Sequence, residues 1–186
     1  MDKAELKNII ESFLFVSNRP LSKDKILRIL EEVDKKQVTE AIHELSREYK
    51  ERGGALQILP LAGGYQLCTR PEYDSWIKRL FKSQTTLRLS PAALETLSVV
   101  AYKQPITKAS IDHIRGVDST HALHTLLKKK LVKITGKADS LGRPSLYGTT
   151  LEFLQYFGLE NLSDIPRWEE IRVDEPEDME KSSENV

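Results

Sequence analysis

The stretches LSKDKI (residues 21–26) and ITKASI (residues 106–111) carry the same helix-start signal at two places in the chain. In each, an apolar residue precedes a hydroxyl side chain, Ser22 or Thr107, that can accept a hydrogen bond from an exposed backbone N–H. An isoleucine at the fourth helical position can close a hydrophobic staple with that apolar residue. A proline precedes each stretch and ends the helix before it. The two stretches therefore begin a helix in the same way.

The elements around these stretches also repeat in the same order. One helix precedes each stretch and a third helix follows it, and then come a strand, a glycine-containing turn, a returning strand and an aromatic helix. The predicted strand pairs are LQILP (56–60) with YQLCT (65–69) and LVKIT (131–135) with SLYGT (145–149). In the turn of the second pair, Gly142 can take a positive φ, and Arg143 is expected to be extended because it precedes a proline. A further staple, Leu89 with Leu94 around the cap Ser90, opens the second copy. The order predicts an α+β, mainly α fold of two tandem winged-helix domains with an acidic disordered C-terminal tail.

The predicted domains are residues 1–82 and 89–166, and the short polar segment 82–88 is the expected linker. Residues 167–186 contain eight acidic and three basic side chains, a net charge of −5, so the rest of this neutral chain carries +5. Few large apolar residues occur in this segment, which is typical of a solvated, disordered end. The alternative is a tail that screens a binding face.

Motifs that would indicate catalysis are missing from the sequence. The loop in KADSLGRPSLYGTT (137–150) leads into a strand, whereas a phosphate-binding loop leads into a helix. His121 and His124 lie one turn apart, but no other pair completes a metal site, and Cys68 is expected to be a buried thiol. We expect no enzymatic activity, no catalytic residue, no cofactor and no metal. Without an apolar run that could span a bilayer, the expected location is the cytoplasm.

A DNA-binding transcriptional regulator with tandem winged helices is the alternative function. A recognition helix that reads bases carries cationic or amide side chains near its start. Here the corresponding helix begins at Asp118, and its lysines, Lys128–Lys130, come late. Together with Lys133, Lys137 and Arg143 near the second hairpin, they could contact phosphates without reading bases. Direct DNA binding is therefore the less favoured interpretation.

Some apolar residues fall outside the predicted core stripes. Phe15 lies about 180° from Leu6 on the first helix, and Val99 is displaced in the same sense from the Leu94 and Leu97 stripe. Either the aromatic helix that ends each copy covers such positions, or they contact another protein.

Five stretches resemble segregation and condensation protein B, the ScpB family of bacteria. They are FLFVSNRPLS (13–22), LAGGYQLCTRPEY (61–73), RLSPAALETLSVVAYKQPIT (88–107), IRGVDS (114–119) and LGRPSLYGTTLEFLQYFGLENLSDIP (141–166). The resemblance implies a non-enzymatic scaffold subunit of the SMC–ScpA–ScpB condensin complex, associated with the nucleoid. It implies a homodimer, formed largely by the N-terminal domain, that binds the central region of the ScpA kleisin. The SMC ATPase is then reached through the kleisin, and DNA only indirectly.

The resemblance also directs attention to six residues. We expect the turn in AYKQPIT and the hairpin in GRPSLYGTT to lie near each other. Tyr102, Lys103, Gln104, Arg143 and Tyr147 would then border the kleisin-binding groove. Phe15 is the candidate dimer contact.

Overall fold

The computed structural model describes residues 1–81 and 89–167. The predicted linker at 82–88 and the tail beyond Arg167 lie outside the described residues. The N-terminal half contains α1 (Lys3–Val16), α2 (Lys23–Ile29), α3 (Lys35–Arg52), β1 (Leu56–Leu61), β2 (Gly64–Thr69), a 3-10 turn (Pro71–Tyr73) and α4 (Asp74–Leu80). The C-terminal half contains α5 (Pro91–Lys103), β3 (Ile106–Thr107), α6 (Lys108–Arg115), α7 (Thr120–Lys128), β4 (Val132–Lys137), β5 (Ser145–Thr149), α8 (Leu151–Phe157) and a 3-10 turn (Leu162–Asp164).

The helix starts follow the predicted signals. The hydroxyl oxygen of Ser22 accepts a hydrogen bond from the Lys25 N–H at 3.3 Å, and that of Thr107 accepts from the Ser110 N–H at 3.2 Å. The staple residues of both copies are buried: Leu21, Ile26, Ile106 and Ile111. Both predicted staples of the repeat therefore contribute to the cores.

The start of α5 follows the prediction only in part. Ser90 caps this helix by accepting from the Ala93 N–H at 3.3 Å. Leu94, however, is 41% exposed, and the buried stripe of α5 runs through Ala93, Leu97 and Val100. The stripe predicted on Leu94 and Leu97 was therefore wrong at Leu94.

Each half has its own apolar core between its helices and its hairpin. The N-terminal core contains Leu6, Ile10, Leu14, Leu21, Ile26, Val38, Ala41, Ile42, Leu45 and Ile58. The C-terminal core contains Ala62, Ala93, Leu97, Val100, Ile106, Ile111, Leu123, Leu126, Leu131, Val132, Phe153 and Leu154. Burial of these side chains is the main favourable contribution to folding.

The hairpins repeat a detail that the sequence pattern did not reveal. In the N-terminal half, β1 pairs antiparallel with β2, and Leu21 forms an isolated bridge with Tyr65 of β2. In the C-terminal half, the strand order is β3-β5-β4, and Ile106 pairs with Tyr147 of β5. In both halves, the residue after the helix-ending proline therefore adds to the returning strand of the hairpin.

The tip of the second hairpin differs from the prediction at one residue. Gly142 has the expected positive φ, +79°. Arg143 was expected to be extended because it precedes a proline, but its φ is +41°, in the left-handed region. Its N–H donates to the Ser140 carbonyl at 2.8 Å, so closure of the turn outweighs the local preference.

Main-chain hydrogen bonds join the two halves. The N–H of Ala62 donates to the Leu159 carbonyl at 2.9 Å, and the N–H of Gly63 donates to the Glu160 carbonyl at 3.0 Å. Ala62 is buried among residues of the C-terminal core, and Leu61 packs beside it. The turn of the first hairpin therefore docks on the segment that follows α8.

Candidate protein-docking surfaces

The end of α5 and the second hairpin lie side by side, as expected from the sequence. The side-chain oxygen of Gln104 accepts hydrogen bonds from the Thr149 N–H at 2.8 Å and from the Thr149 hydroxyl at 3.1 Å. Its side-chain nitrogen donates to the Ala101 carbonyl at 3.2 Å. A Cβ on Gly148 would come within 3.0 Å of that Gln104 oxygen, so this close approach requires glycine. Gln104 thus fastens α5 to β5.

Tyr102 and Lys103 lie on the exposed side of the same helix end. Tyr102 is 41% exposed, and its hydroxyl donates to the Pro166 carbonyl at 2.8 Å. It borders a hollow of about 360 Å³ between α5 and the segment around Leu162 and Ile165. Lys103 is exposed. Tyr102 therefore faces the end of the described chain, whereas Gln104 faces the hairpin.

Tyr147 and Arg143 occupy different parts of the hairpin. Tyr147 is half-buried on β5, with Ile106 and Ile134 opposite it on the neighbouring strands. Arg143 lies exposed at the tip, two residues after the fully exposed Leu141. The hairpin therefore presents an aromatic ring near its base and a cation at its tip.

Phe15 belongs to a larger apolar surface at one end of the N-terminal half. Phe15 is 74% exposed and Val16 is 70% exposed, so α4 does not cover them. On α4, Trp76 is 63% and Leu80 is 73% exposed, and no residue of this helix is buried. We call Phe15, Val16, Tyr73, Trp76, Leu80 and Phe81 the end surface.

Hydrogen bonds place α1 and α4 at the same end. Ion pairs from Lys3 to Glu44 and from Lys7 to Glu48 show that α1 and α3 run parallel. The Tyr49 hydroxyl of α3 donates to a Glu11 carboxylate oxygen at 2.5 Å, one turn before Phe15. Arg70, just before α4, donates to the Tyr49 carbonyl at 2.8 Å. The last turn of α1 and the segment that leads into α4 therefore lie towards the same C-terminal end of α3.

The sequence singled out Phe15 and predicted the aromatic helix in YDSWIKRLF (73–81), but not that this helix is itself exposed. It left open whether the aromatic helices cover positions such as Phe15 or whether these positions contact another protein. Val99, by contrast, is half-buried and packs against the C-terminal core, so other residues of its own chain cover it in part.

Ion pairs neutralise the turn before α7. Lys108 contacts Asp112 at 2.6 Å and Asp118 at 2.5 Å. Hydrogen bonds from Lys108 hold the pKa of both carboxyls below their usual range and raise the pKa of Lys108 itself. Asp118 also accepts from the Thr120 N–H at 3.2 Å. The start of α7 thus presents a paired carboxylate rather than a base-reading cation, which disfavours the regulator alternative.

Cations collect instead at the far end of α7 and along the second hairpin. We call Lys128, Lys129, Lys130, Lys133, Lys137 and Arg143 the basic wing. All are exposed except the half-buried Lys129. Within residues 1–81 and 89–167, none of the six lies within 4.0 Å of a carboxylate. β4 is also the edge of its sheet, and all its residues after Val132 are exposed.

The remaining candidates from the sequence lie apart from these surfaces. His121 and His124 are exposed on α7, and the described ranges contain no cluster of three or more metal-ligating side chains. Cys68 is half-buried rather than buried, and burial raises the pKa of its thiol. No helix in the described part of the chain has the length and apolar character needed to cross a membrane.

Two similar halves, each made of helices and a hairpin, define a duplicated protein with exposed apolar and basic surfaces. A family model described as segregation and condensation complex subunit ScpB matches residues 8–168. The chain is 48% identical over 170 residues to segregation and condensation protein B of Syntrophotalea carbinolica, covering 91% of this chain and 85% of that relative. The chain belongs to the ScpB family.

Solved structures include similar chains. The crystal structure of ScpB from Mycobacterium tuberculosis is 30% identical, with 86% of this chain and 98% of that chain covered and a TM-score of 0.42. A dimer of an ScpB N-terminal domain complexed with an ScpA peptide is 28% identical, with 41% of this chain and 95% of that chain covered and a TM-score of 0.38.

Proposed function

We propose that this protein is a non-enzymatic scaffold subunit of the SMC–ScpA–ScpB condensin complex that acts in chromosome condensation and segregation. It works as a homodimer that binds the central region of the ScpA kleisin. The observation that carries the proposal is the family match across residues 8–168, which spans both halves. In this role each half is a winged-helix domain, residues 1–82 for dimerisation and 89–166 for kleisin binding.

The end surface supports dimerisation. Its six side chains are between 41% and 74% exposed. Large apolar side chains of this kind bury roughly 150–250 Å² each, so together they offer about 700 Å² of apolar area per copy. A stable interface of standard size buries about 800 Å² per partner. The end surface alone is therefore close to the size that a dimer requires.

The region between α5 and the second hairpin supports kleisin binding. Gln104 holds these elements together through Thr149, and Tyr102, Lys103, Tyr147 and Arg143 extend from them. Lys103 and Arg143 are exposed cations, and the two tyrosines combine apolar rings with hydroxyls that can bond to a polypeptide. A kleisin segment that orders on binding would lose entropy, so the side chains that hydrogen bonds already hold, Tyr102 and Gln104, favour its capture.

The proposed assembly places the protein in the cytoplasm at the nucleoid. SMC is reached through the kleisin, and DNA only through the complex. The test is size-exclusion chromatography of the full chain with the middle segment of ScpA, beside a gel shift with DNA duplexes. Co-elution without a shifted duplex is the expected result. A shifted specific duplex whose affinity falls steeply with salt, and no co-elution, would instead identify a regulator.

A further inference from the structure

The basic wing carries charge of almost a single sign, although the net charge of the whole chain is zero. Residues 128–143 contain six cations and a single acidic residue, Asp139, a net charge of +5. Elsewhere in the same half, buried or partly buried cations are matched: Lys108 with two aspartates, and Arg115 with Glu95 at 2.9 Å. Unpaired cations concentrated in one stretch of the chain attract a polyanion.

The chain itself carries a polyanion of matching charge. Residues 168–186 contain eight acidic and two basic side chains, a net charge of −6. This segment follows directly on Arg167, and Pro166 is held against α5 by the Tyr102 hydroxyl. It therefore starts on the same half of the molecule as the basic wing, and the two charges nearly cancel.

The segment is long enough to reach the wing from its starting point. Nineteen residues span up to about 60 Å when extended. A compact unit of about 80 residues has a radius of gyration near 12 Å, so it is roughly 30 Å across. Because the tether is short, the local concentration of the segment at the wing is on the order of millimolar.

We propose that the acidic segment 168–186 docks on the basic wing of its own chain and screens this wing from phosphate polyanions such as DNA. The contact goes beyond the scaffold role and does not depend on kleisin binding. If the proposed function holds, the contact also explains how six cations at the end of α7 and along the second hairpin are kept from binding DNA indiscriminately at a chromosome. The alternative is that the lysines only prevent the edge strand β4 from pairing with a strand of another molecule. That role requires no acidic partner.

Carbodiimide crosslinking followed by mass spectrometry tests the contact in the full chain. At 50 mM salt, carboxylates of 168–186 should crosslink to Lys128–Lys130 at least threefold more than to Lys25 and Lys50, which are exposed in the N-terminal half. Raising salt to 500 mM shortens the Debye length and should remove the preference. Crosslinks distributed evenly over all lysines at low salt would overturn the proposal.

Two charge-reversal variants provide the matched comparison. Lys133→Glu with Lys137→Glu should reduce the remaining crosslinks to Lys128–Lys130 at least threefold, whereas Lys25→Glu with Lys50→Glu should leave them unchanged. Equal effects of the two pairs would refute docking at the wing. The same crosslinking in a mixture of light and heavy-isotope protein identifies the chain to which the segment binds. A crosslink within one chain joins two peptides with the same label, whereas a crosslink between chains can join a light peptide to a heavy one. Mainly mixed pairs would overturn the assignment to the same chain.

DNA binding separates screening from a nucleic-acid site. The probe is a 20-base-pair duplex in fluorescence anisotropy, with wild type and a variant whose eight acidic residues in 168–186 are replaced by Gln or Asn. The neutralised variant should bind at least tenfold more tightly, with a slope of log affinity against log salt near −5, as expected for six phosphate contacts. Equal affinity, whether both bind or neither does, would refute screening.

Discussion

Replacing Phe15 with glutamate tests whether the end surface forms the dimer, because Phe15 is the most exposed of its six side chains. Phe15 is 74% exposed, so a dimer that covers it buries about 150 Å² of ring area per copy. At roughly 25 cal/mol per Å², this area contributes up to about 4 kcal/mol for each copy. Even half of that from each of two copies corresponds to a several-hundred-fold weaker dimer. A carboxylate placed in the interface adds a desolvation cost.

The assay is light scattering coupled to size exclusion at micromolar protein. Phe15→Glu should lower the mass from twice 21.2 kDa towards 21.2 kDa. Its helical circular dichroism should persist, because the ring lies away from the core and exposed substitutions usually change stability by less than about 0.5 kcal/mol. Leu141→Glu is the matched control, since Leu141 is fully exposed but lies on the second hairpin. An unchanged dimer in both Phe15→Glu and Trp76→Glu would remove the end surface from the interface.

Three further predictions concern the C-terminal half. Tyr102→Ala combined with Tyr147→Ala should weaken capture of the ScpA middle segment at least tenfold in a pull-down while the fold persists; undiminished capture would place the groove elsewhere. Gly148→Ala should lower the free energy of unfolding in urea by about 1–3 kcal/mol, because its Cβ would come within 2.8 Å of the Thr135 Cγ2 and 3.0 Å of the Gln104 Oε1, and a neutral result would mean that the hairpin relaxes freely. Lys108→Met should reduce stability above about pH 4 and have less effect below it. The two aspartates have depressed folded-state pKa values, so their ion pairs stabilise the protein at higher pH and are lost as pH falls through those values; a pH-independent difference in urea midpoints would contradict this origin.

Local signals in the sequence were sufficient for most elements of the fold. Ser22 and Thr107 cap their helices because capping depends on a hydroxyl and three following residues. Arg143 was predicted wrongly because closure of its turn through Ser140 outweighs the preference of a residue before proline. Leu94 was placed in the core because periodicity does not identify which neighbouring element covers a helix face.

The candidate surfaces were less accessible to sequence reasoning. The family resemblance led us to expect the α5 end and the second hairpin to lie near each other, and the Gln104 to Thr149 hydrogen bonds confirm this proximity. Exposure of α4 could not be inferred, because an aromatic helix has the same spacing whether it covers a core or meets another molecule. What Tyr102, Lys103, Arg143 and Tyr147 bind remains a prediction.

The clasp between the first hairpin and the segment after α8 is built from main-chain atoms, yet it depends on which residues occupy the turn. Ala62 and Gly63 donate to the Leu159 and Glu160 carbonyls from a left-handed backbone, with φ of +48° and +71°. Glycine adopts this conformation at the least cost, and Ala62 is also buried in the C-terminal core. Bulky or β-branched residues at either position would strain the turn, so the mutual pose of the two halves is sensitive to the composition of a single hairpin tip.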